Sequence, residues 1–344
     1  MRSALFYFFL FFSTLIFNSS AVHGQYKKLY IAHYNVENLF DTIDDPKTDD
    51  QDFLPSGSYQ WTHERYEQKI KQLGKVVRDM NQSKGPDILG LCEVENETVV
   101  DALTKELSKQ TKRAYSYVHF NSPDGRGIDV AMIFDQKIYK VKNSRSVFVP
   151  MPGDSSRPTR DILVVSGRLP NKEMLHVLVN HWPSRRSGQD VSEIARKGAA
   201  VVAKRSVDSL HARFPGSTVL VMGDFNDTPA DKAPLEVLGA VWPATASATL
   251  ANPFLALQND STQGSYRYRN NWQFIDHISM SPGVLQTSAK LRYVAGSAAA
   301  VLQPYQLEQD GRFKGNPFRT YAGSRYLGGY SDHLPVKIEL EWRK

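Results

Sequence analysis

The chain predicts an α/β fold, and three features of the sequence point to it. Apolar runs alternate with stretches of helical periodicity, several runs stop at a polar residue, and no break in composition marks a linker. At 344 residues, 41% hydrophobic and 23% charged, there is material for a large core, and the composition excludes a disordered or collagen-like chain.

Taken in order, the first segment stands apart. Met1-Arg2-Ser3 gives a short positive start, Ala4 to Phe17 is an almost unbroken apolar run, and Val22-His23-Gly24 supplies small residues at a cleavage point. The run falls short of the roughly 20 residues that span a membrane, so residues 1–24 read as a secretory signal peptide and 25–344 as a single domain. No comparable apolar stretch follows, so the expectation is a secreted or periplasmic protein without membrane insertion, monomeric by default.

Apolar runs rich in Val, Ile and Leu predict strands over 29–35, 88–93, 130–135, 161–169, 175–181, 218–224, 274–279 and 334–341. Helical spacing over 63–80 puts Ile70, Leu73, Val76, Val77 and Met80 on one face, with Thr62 as N-cap. A second helix over 97–109 turns Val99, Leu103 and Leu107 inward, and a third over 191–214 ends at Pro215-Gly216. Long polar segments at 41–60, 258–271 and 311–329 read as functional rims or covers.

The single cysteine, Cys92, excludes an intramolecular disulfide and a Cys-based zinc site, and its apolar surroundings read as a small buried hydrophobe. A net charge of +6 mildly favours an anionic partner. Neither a Gly-x-Ser-x-Gly elbow nor a P-loop is present, which argues against a serine nucleophile and against P-loop nucleotide hydrolysis.

Chemistry is concentrated in short polar clusters, most of them at strand ends. They are Asn35-Val36-Glu37-Asn38, Glu93-Val94-Glu95-Asn96, Asn180-His181-Trp182-Pro183-Ser184-Arg185-Arg186, Gly223-Asp224-Phe225-Asn226-Asp227, Ile275-Asp276-His277 and Ser331-Asp332-His333. Singly, a strand-end Asn or Asp is more often a turn former than a catalyst. A carboxylate near an imidazole, however, fixes its tautomer and raises its basicity.

Together and in this order the clusters resemble the endonuclease/exonuclease/phosphatase family, which includes DNase I, apurinic endonucleases, bacterial sphingomyelinases and inositol polyphosphate phosphatases. The likeness covers nearly all of the chain after residue 24 and is to a secreted bacterial-type member. It implies a DNase I-like four-layer sandwich: two packed, mostly antiparallel sheets flanked by helices. It also implies a divalent metal, Mg²⁺ first with Mn²⁺ or Ca²⁺ as alternatives, since the donors are oxygens.

By matched position the resemblance gives Glu93 as principal metal ligand, with Asn35 beside it, Asp332 near the metal and Glu37 as a less secure ligand or support. Asp224 would orient or deprotonate the attacking water, and Asn226 would hold Asp224 and touch the phosphate. His333 would contact phosphate or transfer a proton with Asp276 fixing its ring, and His181 would stabilise or protonate the leaving oxygen. Arg126, Arg185 and Arg186 would bind substrate phosphate.

Other features keep plainer readings. The acidic stretch Asp41, Asp44, Asp45, Asp49, Asp50 and Asp52 lacks EF-hand spacing and reads as a solvated or capping loop. His33, His119, His176 and His211 have no partner in register and read as structural, and His277 stays outside the catalytic set because it faces away from its neighbour Asp276. For substrate, alternating cations and aromatics at Tyr266-Arg267-Tyr268-Arg269 and Arg319-Thr320-Tyr321 favour nucleic acid, DNA before RNA. A lipid or small-molecule phosphodiesterase or phosphatase is the alternative, and a non-catalytic binding protein on the same fold the third reading.

Overall fold

The computed structural model describes residues 26–151, 158–245 and 247–343; the expected signal segment lies outside them. In chain order the strands are β1 (Tyr26–Leu39), β2 (Ile88–Val94), β3 (Tyr115–His119), β4 (Asp129–Asp135), β5 (Lys140–Val147), β6 (Ile162–Arg168), β7 (Met174–His181), β8 (Thr218–Asp224), β9 (Ala240–Val241) and β10 (Leu250–Ala251). They continue as β11 (Tyr266–Tyr268), β12 (Asn271–Gln273), β13 (Asp276–Met280), β14 (Leu291–Tyr293), β15 (Ala299–Ala300), β16 (Tyr321–Ala322), β17 (Arg325–Tyr326) and β18 (Val336–Arg343). The helices are α1 (His63–Ser83), α2 (Glu97–Thr111) and α3 (Gln189–Arg213).

One sheet runs β14-β18-β1-β2-β4-β3 with β15 also on β18, and the other runs β5-β6-β7-β8-β13-β10-β9. Each is mostly antiparallel but has a parallel pair near its centre, β1 with β2 and β7 with β8. Parallel neighbours need a long crossover, which α1 and α3 provide.

Alternating side chains build the layers. Leu29 and Ile31 of β1, Val177 and Val179 of β7, and Leu220 and Met222 of β8 pack into one core between the sheets. Their opposite-face neighbours Tyr30, Ala32 and Tyr34 lie under α1 and α2, while Leu178, Val219 and Val221 lie under α3. With both faces buried, these strands read as continuous apolar runs, and the result is an α/β/β/α sandwich. At Gly90 the sheets come so close that a Cβ would sit 2.6 Å from Met222 Sδ and 3.1 Å from His33 Nδ1, so any larger residue would have to displace the Met222 side chain.

The eight strands expected from sequence are present, with ends shifted by a few residues; of the additional strands, β9–β12 and β14–β17 have two or three residues each, and the longer two are β3 and β5. Both are edge strands, β5 is half-solvated along its length, and neither carries the apolar signal of a central strand. In α1 the helical backbone gives way at Met80, after which Asn81, Gln82 and Ser83 take positive φ. Thr62 occupies its N-cap position without a side-chain capping bond. The 41–60 segment is folded over a short 3₁₀ turn and an aromatic cluster of Phe40, Trp61 and Tyr321.

Three histidines read from sequence as lacking partners have them: His119 Nε2 lies 2.8 Å from Asp129, His176 Nδ1 2.7 Å from Ser166 Oγ, and His211 Nε2 2.9 Å from Ser281 Oγ. Asp129 and Ser166 come from the neighbouring antiparallel strand, with Ser166 directly opposite His176, and Ser281 comes from just past the distant end of β13. Burial against Phe214 lowers the His176 pKa to about 4, so the folded state holds this ring neutral. The unfolded chain therefore takes up a proton that the folded protein refuses as pH falls below about 6.5. The contribution is whole above pH 6.5 and is lost towards pH 4, at most about 3 kcal/mol. Thermal melts between pH 7 and 4 are expected to fall less steeply for His176→Gln than for the parent; parallel curves would exclude His176 as a source of acid sensitivity.

Candidate active site

The topology collects the polar clusters at one edge. Both parallel pairs end there: Asn35 closes the apolar part of β1 beside β2 and Glu93, and His181 and Asp224 are paired at the ends of β7 and β8. The antiparallel strand β13 starts at the same edge, with Asp276 opposite Asp224, and the segment before β18 delivers Asp332 and His333. Four non-glycine residues here take positive φ: Glu37 (51°), Asn38 (50°), Glu93 (62°) and Asn226 (50°). Such backbone costs on the order of 1 kcal/mol per residue, and its clustering at the strand ends turns these side chains inwards.

Asp224 is the hub. Asn35 Nδ2 donates to its Oδ2 at 3.1 Å and the Asn226 amide to its Oδ1 at 2.9 Å. His181 Nε2 stands 3.7 Å and His333 Nε2 3.9 Å from the same Oδ2. Burial, reinforced by Asp276, pushes the Asp224 carboxyl up from its usual range, with His333 opposing. His333 Nδ1 is bonded to Asp276 Oδ2 at 2.7 Å. Burial alone would lower His333, but Asp276, Asp224 and Asp332 outweigh it and hold the ring protonated. His181 is the opposite case, kept neutral by burial and by the charges of Arg160 and Arg126.

The sequence-derived metal residues divide. Glu93 accepts from the Asn38 amide through Oε2 at 3.0 Å, leaving Oε1 3.9 Å from His181 Nε2. Asp332 is held by Arg319 through Oδ2 while its Oδ1 lies 3.9 Å from His333 Nε2. Asn35 Oδ1 accepts from the Glu37 amide at 2.9 Å. Glu37 takes the supporting one of its two expected roles: the Thr320 amide donates to its Oε2 at 2.6 Å, Arg319 to its Oε1 at 3.3 Å, and Lys69 Nζ is 3.9 Å away. Both its oxygens are occupied, so it braces the site from behind.

An oxygen set of Glu93, Asp332 and Asn35 fits a hard divalent ion and offers no thiolate. Asp224, Asp276 and His333 also present ligand atoms within 4.8 Å of one another. In that trio, though, Asp276 Oδ2 and His333 Nδ1 already satisfy each other, which suits proton handling better than ligation.

Asn226 reaches Asp224 through its backbone, while its side chain donates to the Trp182 carbonyl at 2.9 Å. Arg185 is drawn away from phosphate duty: its guanidinium donates to the Asn226 carbonyl and to Asp227 and Asp231, at 2.6, 2.9 and 2.6 Å. Arg186 is exposed beyond it. Arg126 lies on the turn of Asp124, close enough for its charge to act on His181.

Sequence reasoning missed Lys69, Arg160 and His33. Lys69 is buried and donates to Thr320 Oγ1 at 2.6 Å and the Tyr330 carbonyl at 2.7 Å. The signal was present, because Lys69 shares a helical stripe with Leu73, Val76 and Met80. Arg160 ties Asp124 to the Trp182 carbonyl at 3.1 and 2.7 Å. His33, read as unpartnered, is fully buried with Nε2 3.4 Å from Asp276 Oδ1, behind the His333 pair.

Residues 30–342 match the profile of the Endonuclease/Exonuclease/phosphatase family. No curated protein matches the sequence significantly. Among solved structures, the human Nocturnin catalytic domain with bound sulfate is similar at 16% identity and TM-score 0.54, covering 93% of this chain and 97% of that one. An endonuclease/exonuclease/phosphatase family protein from Bacteroides thetaiotaomicron is similar at 15% identity and TM-score 0.54, with 92% and 99% covered. Truncated Caenorhabditis elegans TDP2 is similar at 16% identity and TM-score 0.53, with 91% and 97% covered. At these identities the likeness is one of fold.

Proposed function

The chain belongs to the endonuclease/exonuclease/phosphatase family and is a hydrolase of phosphoric esters, and from that premise we propose that it is a secreted, metal-dependent nuclease acting on DNA, with RNA as a second substrate. The observation that carries the chemistry is the convergence of two imidazole Nε2 atoms on Asp224 Oδ2, at 3.7 and 3.9 Å, which brings a carboxylate base and two nitrogen groups to one point. Secretion rests on the charged, apolar and small-residue order of residues 1–24.

The reaction is in-line hydrolysis. Asp224, oriented by Asn35 and the Asn226 amide, takes a proton from water as the water oxygen bonds to phosphorus. His333, protonated and held through Nδ1 by Asp276, gives its Nε2 proton to the leaving oxygen as the ester bond breaks. Neutral His181 serves as a hydrogen-bond donor to a phosphoryl oxygen, since a neutral imidazole is a poor acid. Glu93, with Asn35 and Asp332 beside it, would hold the divalent ion, which supplies Lewis-acid stabilisation of charge on the phosphoryl oxygens.

Three things favour nucleic acid as the substrate: the mild positive charge, Arg126 at the rim, and the hairpin of β11 and β12, whose Tyr266 ring packs 4.9 Å from His333. Among the described residues no helix is long and apolar enough to cross a membrane. The test offers plasmid DNA, RNA, sphingomyelin vesicles and bis(p-nitrophenyl) phosphate, each with Mg²⁺, Mn²⁺, Ca²⁺ or EDTA. Nicking of plasmid with Mg²⁺, lost in EDTA and restored by excess metal, is expected. Turnover of the lipid or the small diester alone would reject the nuclease.

A further inference from the structure

Beside the catalytic edge lies a cavity of about 120 Å³ that the chemistry above leaves unused. Its walls include Tyr266, Arg267, Phe313, Asn316 and, on the catalytic side, Asp332. Resting on the nuclease reading, we propose that it is a subsite for one pyrimidine base of the nucleotide flanking the scissile phosphate.

Position comes first. Tyr266 forms a β-bridge with His333 and packs its ring against the imidazole, while Asp332 lines the cavity itself. A phosphate that His333 contacts therefore has this opening as its next neighbour. Size comes second: a cavity of about 150 Å³ takes one benzene ring, and the volume here is of the order of one six-membered ring. Chemistry comes third. Tyr266 and Phe313 offer aromatic faces on which a base stacks; Phe313 is about half exposed, with the Arg312 guanidinium 5.6 Å from its ring centroid.

Asn316 provides the polar edge. Its Oδ1 is buried and has no hydrogen-bond partner among the described residues. The backbone around it is fixed, with its amide on the Phe313 carbonyl at 2.9 Å and its carbonyl receiving the Glu308 amide at 2.8 Å. An unsatisfied amide in a confined wall is costly unless a ligand completes it, and a carboxamide pairs a donor and an acceptor as the edge of a pyrimidine does. Arg267 is packed against the same turn: a Cβ at Gly315, where φ is +77°, would come within 2.9 Å of its Nη1. That places a cation where the flanking backbone phosphate would pass.

The experiment digests a random-sequence single-stranded DNA pool with the protein and Mg²⁺, then sequences the new ends. At one position flanking the cut, pyrimidines should exceed purines by about tenfold, as expected for one stacked and edge-bonded base. The bias should collapse towards one in Phe313→Ala or in Asn316→Leu, and return in Phe313→Tyr, which keeps the ring. A flat profile, a purine preference, or a bias surviving both substitutions overturns the subsite while leaving the nuclease standing. Uncut oligonucleotide beside nicked plasmid also overturns the subsite alone; if neither plasmid nor oligonucleotide is cut under any metal, the nuclease reading fails and the subsite goes with it.

Discussion

Asp224→Asn is expected to lower kcat by about a thousandfold while leaving the protein at least as stable as the parent. The substitution keeps the shape of the side chain and removes only its ability to take a proton, and general-base catalysis is worth about 10²–10⁴-fold. Stability should hold because Asp224 is 2% exposed and lies beside Asp276, a second buried carboxylate. Burial and that neighbour both disfavour its charge, so a neutral amide relieves the folded state even as it disables it. Asn35 Nδ2 and the Asn226 amide bind different oxygens of Asp224, so the variant's single oxygen keeps one of these bonds and loses the other, about 1 kcal/mol against the relief of the buried charge. Steady-state turnover of plasmid and a melting curve on the same preparation decide the matter. Turnover within tenfold of the parent would move the base role away from Asp224; a collapse of the melting temperature would make it a structural residue instead.

Much of this site was legible in the sequence because the fold is built from strands that end where the chemistry begins. Apolar runs closing on Asn35, Glu93, His181 and Asp224 could be read without knowing the pairing, since burial on both faces leaves an uninterrupted apolar signal. What could not be read are contacts made across long separations. Arg185 looks free in sequence, and only the return of the chain at Asp227 and Asp231 claims its guanidinium. Lys69 looks like one more helix-surface lysine until Thr320 and Tyr330 close over it. His33 has no neighbour of its own until β13 brings Asp276 within 3.4 Å. The edge strands β3 and β5 went unseen for the converse reason: solvent replaces a core partner, and with it the periodicity.

The two glutamates that open the candidate metal corner should separate cleanly by substitution. Glu93 is partly exposed, with Oε1 free of any hydrogen bond among the described residues, and its backbone is held at φ 62° so that the carboxylate faces His181. Glu93→Gln removes the negative charge of the ligand and should raise the Mg²⁺ concentration for half-maximal activity, with activity at fixed low Mg²⁺ down about 10²–10³-fold, because Lewis-acid assistance amounts to several kcal/mol. Melting without metal should barely change. Glu37→Gln should do the reverse. It removes the carboxylate that Lys69 and Arg319 surround, leaving a fully buried ammonium without its counter-charge, at a cost of about 3 kcal/mol. Melting should drop while the Mg²⁺ requirement of the surviving fold stays close to the parent. Mg²⁺ titrations of activity alongside melting curves give both readings at once. A Glu37 variant with normal melting and a raised Mg²⁺ requirement would return that residue to the ligand set, and a Glu93 variant indifferent to Mg²⁺ would place the ion elsewhere, with the Asp224, Asp276 and His333 trio next in line.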